Sequence, residues 1–160
     1  MKKAVVYYSM SGNTKFVAQK IAEKTGADLV ELVPEKSYPD KGMKKFLWGG
    51  KSALMGEKPA LVPYEFNADE YDTVIIGSPV WASSVTPPIN TFLGDHGEEI
   101  KGKKLAVFLC FAGGGADKAI KKLKKALGRE DLAAQLILTD PLTNINNETE
   151  EKISGFCSAV

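Results

Sequence analysis

The chain has 160 residues, enough for one domain with a full core and too few for two ordinary ones. Its 44% hydrophobic and 26% charged residues exclude a disordered chain, and 21 lysines and arginines against 20 aspartates and glutamates leave no net field to draw in nucleic acid or an anionic membrane. Cys110 and Cys157 stand far apart, with no CxxC or metal-ligand spacing, which points to a reducing, cytoplasmic setting.

Met1-Lys2-Lys3 precedes an apolar run over 4–8 that predicts a first strand. The run ends at polar Ser9, too soon for a signal peptide, and no segment reaches membrane-spanning length, so a soluble protein is expected. The loop Ser9-Met10-Ser11-Gly12-Asn13-Thr14 then opens a helix whose apolar face is Phe16, Val17, Ala18, Ile21 and Ala22, with Thr25-Gly26 as its stop. A second strand is expected over 29–33. An unusually long connection follows over 34–67, holding Met43, Phe46, Leu47, Trp48, Gly49, Gly50, Leu54 and Met55, with a short helix expected inside it. Phe46 and Trp48 are read as edge-covering core, with closure over a pocket as the alternative.

The third strand is expected over 73–77, followed by a loop through Pro79, Val80, Trp81 and Ala82 to a helix over 89–93, with Thr86 as its N-cap and two prolines setting its first turn. His96, in Gly94-Asp95-His96-Gly97, is placed in a surface loop. The fourth strand, 105–111, runs into Cys110-Phe111-Ala112-Gly113-Gly114-Gly115. The next helix buries Ala116, Ala119, Ile120, Leu123 and Leu127 and stops at Gly128. Its five lysines lie opposite that stripe, a solvated surface or a docking face for an acidic partner. A fifth strand over 135–138 precedes a last helix carrying Ile153, Phe156, Cys157 and Val160, with Asn147 and Glu150 as its cap pair.

Several of these strands are nearly continuous in Val, Ile and Leu, as parallel strands covered on both faces are. Five strands alternating with helices predict an α/β fold, a parallel sheet with helices on both faces. In such sheets ligands bind beyond the carboxyl ends of the strands.

Three loops at that end carry chemistry. The start of the first helix offers free N–H groups and a partial positive charge, and Ser9, Ser11 and Thr14 add hydroxyls around a permissive Gly12. The loop contains no lysine, unlike the GxxxxGK[ST] loop that neutralises a triphosphate, so it suits the single phosphate of a mononucleotide. Trp81 offers a flat face for stacking. Gly113, Gly114 and Gly115 bare a backbone that can read the polar edge of a heterocycle. Cys110 beside them is read as a small core residue, with a redox role as the alternative.

Ser9 to Thr14 resembles the phosphate loop of the flavodoxin family, a (T/S)-x-(T/S)-G-N-T pattern. Gly77 to Trp81 is similar to that family's second loop and Cys110 to Gly115 to its third, at matching intervals over nearly the whole chain. The resemblance implies a doubly wound five-stranded sheet of order 2-1-3-4-5, bound FMN, and electron transfer to redox partner proteins or a small acceptor. It places FMN against Ser9, Met10, Ser11, Gly12, Asn13 and Thr14 at the phosphate, and against Pro79, Val80, Trp81, Ala82, Cys110, Phe111, Ala112, Gly113, Gly114 and Gly115 at the ring. Two departures stand out. The chain is near neutral where the family is commonly acidic, and its third loop supplies no tyrosine. The enzyme alternative is an FMN-dependent NAD(P)H:quinone-type reductase. A receiver domain is excluded, because Tyr8-Ser9 and Ser78-Pro79 stand where its acidic residues and phosphorylatable aspartate belong.

Overall fold

A computed structural model describes residues 1–38 and 56–160. In chain order its elements are β1 (Lys3–Tyr7), α1 (Asn13–Thr25), β2 (Asp28–Glu31), a 3-10 turn (Ala68–Glu70), β3 (Thr73–Trp81), β4 (Ser84–Val85), α2 (Pro87–Ile100), β5 (Lys104–Phe111), α3 (Ala116–Leu127), β6 (Ala134–Thr139) and α4 (Asn147–Ala159). The parallel strands lie in the order β2-β1-β3-β5-β6, and β4 pairs antiparallel with β3. With the two-residue β4 set aside, this is the expected 2-1-3-4-5.

Alternation along each strand explains the two cores. Ala4, Val6 and Tyr8 point to the face covered by α2 and α3, through Ile89, Phe92, Ala119 and Leu123. Val5 and Tyr7 point to the opposite face, where Val17 and Ile21 of α1 meet Ile153 and Phe156 of α4. Both faces are dry, which is why these strands read as unbroken apolar runs. Each fully buried side chain of this size contributes about 1.5–3 kcal/mol.

Several boundaries differ from the sequence expectation. β2 lies one residue earlier and is shorter. β3 runs to Trp81, so Pro79, Val80 and Trp81 are strand residues and not loop. Beyond Gly77, which pairs with Tyr7, β3 has a parallel neighbour only on the β5 side, and such a one-sided stretch tolerates Pro79. α2 extends to Ile100 and absorbs Gly94 to Gly97. His96 is therefore a helical residue and not a loop residue. Its ring packs 4.9 Å from Phe66 and 5.1 Å from Phe92, and its Nδ1 lies 2.8 Å from Glu99 Oε2. The α4 cap is Asn146, whose side chain accepts from the Thr149 N–H at 2.9 Å, and not Asn147. Of the long connection, 39–55 lie outside the described residues, and the readings of Phe46 and Trp48 with them. Before and after that stretch, Pro34 bridges Leu61 and the Val62 N–H donates to the Val33 carbonyl at 2.7 Å.

One glycine sets how closely β3 and β5 match across the sheet. A Cβ on Gly77 would stand 2.1 Å from Phe108 Cζ, so the buried ring occupies the volume a side chain would need. Gly77→Ala is expected to lose about 2–3 kcal/mol, the scale of a core forced to overpack. Urea unfolding followed by circular dichroism measures it, and an unchanged midpoint would show that the ring gives way freely.

Candidate functional site

The carboxyl ends of β1, β3, β5 and β6 surround a cleft of about 450 Å³, within the range of small-ligand sites. Its floor begins at the turn between β1 and α1. Gly12 occupies the N-cap position at φ 97°, a left-handed conformation that frees it from any Cβ penalty, and no side chain caps the helix. The first-turn N–H groups of α1 therefore have no side-chain acceptor. Asn13 is not spent on the cap either. Its Oδ1 accepts from the Leu142 N–H at 2.9 Å, tying the turn to the segment after β6, and Leu142 Cδ1 lies 3.2 Å from where a Gly12 Cβ would be.

Two hydroxyls in this turn, Ser9 Oγ and Thr14 Oγ1, are buried with no hydrogen-bond partner among the described residues. Leaving such a group unpaired costs about 1–3 kcal/mol. Two of them in one turn, beside an uncapped helix start, mark a place shaped for an acceptor-rich group supplied from outside. Ser11, Asn13 and Thr14 line the cleft. Ser9, Met10 and Gly12 are not among its described lining residues, and Ser9 and Met10 instead line a separate cavity with Tyr8, Val33 and Tyr38. Lys15 faces elsewhere and pairs with Glu31 at 3.3 Å.

The second wall is the β3–β4 hairpin, lined by Pro79, Val80, Trp81 and Ala82. Its base is fixed by Ser78, whose Oγ donates to the Pro79 carbonyl at 2.7 Å and accepts from the Thr86 N–H at 3.0 Å. Thr86 holds the N-cap position of α2, as expected, but its hydroxyl pairs with Ser78 and not with the helix. The two-residue turn, Ala82 at φ 49° and Ser83 at φ 56°, is left-handed at both positions without a glycine. That pattern matches the right-handed twist of a tight hairpin, at roughly 1 kcal/mol or more of strain per residue. The Trp81 ring meets Tyr8 at 5.8 Å and Tyr38 at 5.3 Å, edge to face in both cases.

The third wall is Cys110, Phe111, Ala112, Gly113 and Gly114. The three glycines do different things. Gly115, at φ 88°, caps α3, and its Cβ would stand 2.9 Å from Ser83 Cα and 2.3 Å from Ser83 Oγ. The third loop thus leans on the hairpin through a contact that only glycine permits. Among the described residues Gly113 and Gly114 have no atom near a would-be Cβ, which leaves that part of the wall bare. Cys110 is 4% exposed, and burial pushes its thiol up to about 12 against a weaker downward pull from the Thr14 hydroxyl, which lies close to the sulfur without forming a well-aligned hydrogen bond.

Sequence reading missed Asp140, the one charged residue among the described residues lining the cleft. It sits at φ 39°, with its N–H donating to the Phe111 carbonyl at 3.1 Å and its own carbonyl accepting from Thr143 and Asn144. The signal is present: Asp140 stands two residues beyond the fifth apolar run and directly after β6, at the same sheet edge as the other loops. Among the described residues, no group of His, Cys, Asp and Glu is placed to hold a metal ion, and no helix is long and apolar enough to cross a membrane.

A family model described as flavodoxin matches residues 2–151. Among solved structures, the chain is similar to the flavoprotein in complex with FMN from Lactobacillus acidophilus NCFM, at 23% identity and TM-score 0.72, covering 94% of this chain and 97% of that one. A Bacteroides eggerthii DSM 20697 protein assigned as a flavoprotein matches at 24% identity and TM-score 0.77, covering 99% and 97%. Oxidised Flavodoxin 2 from Bacillus cereus matches at 24% identity and TM-score 0.60, also covering 99% and 97%. These likenesses establish the fold.

Two outcomes follow from the geometry. The Cys110 thiol stays protonated at neutral pH, so native protein at pH 8 resists iodoacetamide at this position and reacts once unfolded in urea; mass spectrometry locates the label. Because folding raises this pKa, the stabilisation is complete below the thiol's ordinary value of 9.0 and drains away as pH climbs toward 12, which unfolding midpoints across that window record.

Proposed function

The chain belongs to the flavodoxin family, and from that premise we propose that it holds FMN non-covalently and carries electrons, one or two at a time, between redox partners. The observation that carries this reading is the pair of buried, partnerless hydroxyls, Ser9 Oγ and Thr14 Oγ1, at an uncapped helix start. A terminal phosphate offers the acceptors that both hydroxyls and the open α1 amides lack, and the helix dipole favours its charge. Among the described residues no lysine, arginine or histidine lines the cleft, which supports one phosphate over a polyphosphate.

In this reading Ser9, Met10, Ser11, Gly12, Asn13 and Thr14 hold the phosphate. Pro79, Val80, Trp81 and Ala82 form one wall for the ring, with Tyr8 and Tyr38 fixing the Trp81 plane from behind. Cys110, Phe111, Ala112, Gly113, Gly114 and Gly115 form the other and present backbone groups to its polar edge. FMN supplies the electron chemistry when bound; the protein supplies position, dielectric and hydrogen bonds. No side chain is assigned as acid or base, and the protonated Cys110 thiol is a packing group.

One observation favours a second reading. Among the described residues no side chain covers Gly113 and Gly114, and a wall open there gives a small substrate access to a bound ring. An FMN-dependent NAD(P)H:quinone-type reductase uses such access. NADPH consumption with a quinone at turnover rates selects that reading, and reduction by a partner protein alone selects the carrier.

Titration with FMN, followed by flavin fluorescence, is expected to saturate at micromolar concentration or below. Thr14→Val keeps the shape and deletes the hydroxyl. It should weaken FMN roughly 10-fold or more, leave riboflavin unchanged because riboflavin lacks the phosphate, and cost the apoprotein nothing. Equal losses for FMN and riboflavin would remove Thr14 from the phosphate site.

A further inference from the structure

We infer that the lysine face of α3 docks an acidic redox protein at the open wall of the cleft, an inference that rests on the electron-carrier reading above. Helix α3 carries five lysines and one aspartate, whereas the whole chain stands at +1, so the rest of the molecule is net negative. The helix buries Ala119, Ile120 and Leu123 against the sheet and turns Lys118, Lys121, Lys122 and Lys125 to solvent. Lys2, Lys15, Lys20 and Lys152 all lie within ion-pair distance of carboxylates. Among the described residues none of the α3 lysines does. Like charges one turn apart on a helix repel by a few tenths of a kcal/mol per pair, and among the described residues only Asp117 within the helix and Asp131 beyond its end stand near enough to offset part of that cost.

Position gives the patch its meaning. α3 starts from Gly115, directly after the bare wall at Gly113 and Gly114, and Lys122 Nζ donates to Ser84 Oγ of the hairpin at 2.7 Å. The lysine row therefore begins beside the cleft and runs back from it along the helix, with no α3 lysine among the described residues that line the cleft. From Lys118 to Lys125 it spans about 10 Å of helix, close to the Debye length at 0.1 M salt, so the charges act together on an approaching protein. The face has no large apolar side chain, which disfavours insertion into a membrane and suits a small, polar, electrostatically steered encounter. The partner is thus a protein with a carboxylate-rich rim around its own redox centre.

The test uses full-length, FMN-loaded protein, reduced with dithionite and mixed by stopped flow with two one-electron acceptors of opposite charge, an acidic blue-copper protein (plastocyanin) and a basic haem protein (cytochrome c). Each acceptor takes one electron, Cu(II) to Cu(I) or Fe(III) to Fe(II), so two are consumed per fully reduced cofactor, whose protons go to the buffer. At low ionic strength the acidic acceptor should react roughly 10-fold faster than the basic one, and its rate should fall about 10-fold as salt rises to 0.3 M. The variant K118E/K121E/K125E, which spares the tethered Lys122, should invert both trends while keeping its FMN affinity, and K118A/K121A/K125A should abolish the preference. Rates that ignore acceptor charge, or that the variants leave unchanged, overturn the inference while normal FMN binding keeps the carrier reading intact. Transfer to neither acceptor overturns both. Co-sedimentation with phosphatidylglycerol vesicles, lost in the charge-reversed variant and without any acceptor preference in the native protein, assigns the face to a membrane and overturns the protein partner.

Discussion

A helix that begins without a cap is the constraint around which this molecule is arranged. The turn from β1 into α1 leaves its amides free because Gly12 adopts a left-handed conformation and Asn13 is drawn away to Leu142. Left alone, such an end is a liability, aggravated by two hydroxyls buried without partners. The parallel sheet makes the liability useful. Every strand delivers its following loop to the same edge, so the hairpin, the glycine loop and the Asp140 turn all converge where those donors lie open.

Most of that arrangement is legible in the residues. Apolar runs without alternation give dry parallel strands, and Gly26 and Gly128 end the helices before them, each left-handed at the C-cap. The hydroxyl-rich turn without a lysine is equally plain in the sequence, and Ser11, Asn13 and Thr14 from it line the cleft. Local punctuation misleads in two places. Pro79 reads as a loop residue, yet the sheet accepts it because β1 has ended at its level. Gly94 and Gly97 read as a helix end, yet burial of Ile89, Phe92 and Ile100, together with the aromatic contacts of His96, outweighs about 1 kcal/mol of poor propensity at each glycine. The contacts that shape the cleft are harder to foresee. Ser78 with Thr86, Ser83 against Gly115 and Asn13 with Leu142 join distant positions by side-chain geometry, which no window of sequence contains.

Charge is partitioned in a way that total composition hides. Near-neutrality overall conceals, among the described residues, a cleft lined by one carboxylate and no cation, and a helix beside it crowded with lysines that have no carboxylate within ion-pair distance. The two environments make separate demands. A phosphate held by amides and hydroxyls needs no counter-ion that would also attract larger anions into the cleft, and the cationic surface stays outside, where solvent screens it from the bound group.

The hairpin at Ala82 and Ser83 has an implication for anyone who would transplant or redesign this cleft. Two strained residues persist there because the neighbouring loop yields the space of one methyl group, at Gly115, for them to occupy. The two segments are therefore one inherited module in the practical sense. Grafted singly onto another scaffold, either would relax or collide, and only when moved as a matched pair would the walls keep their spacing.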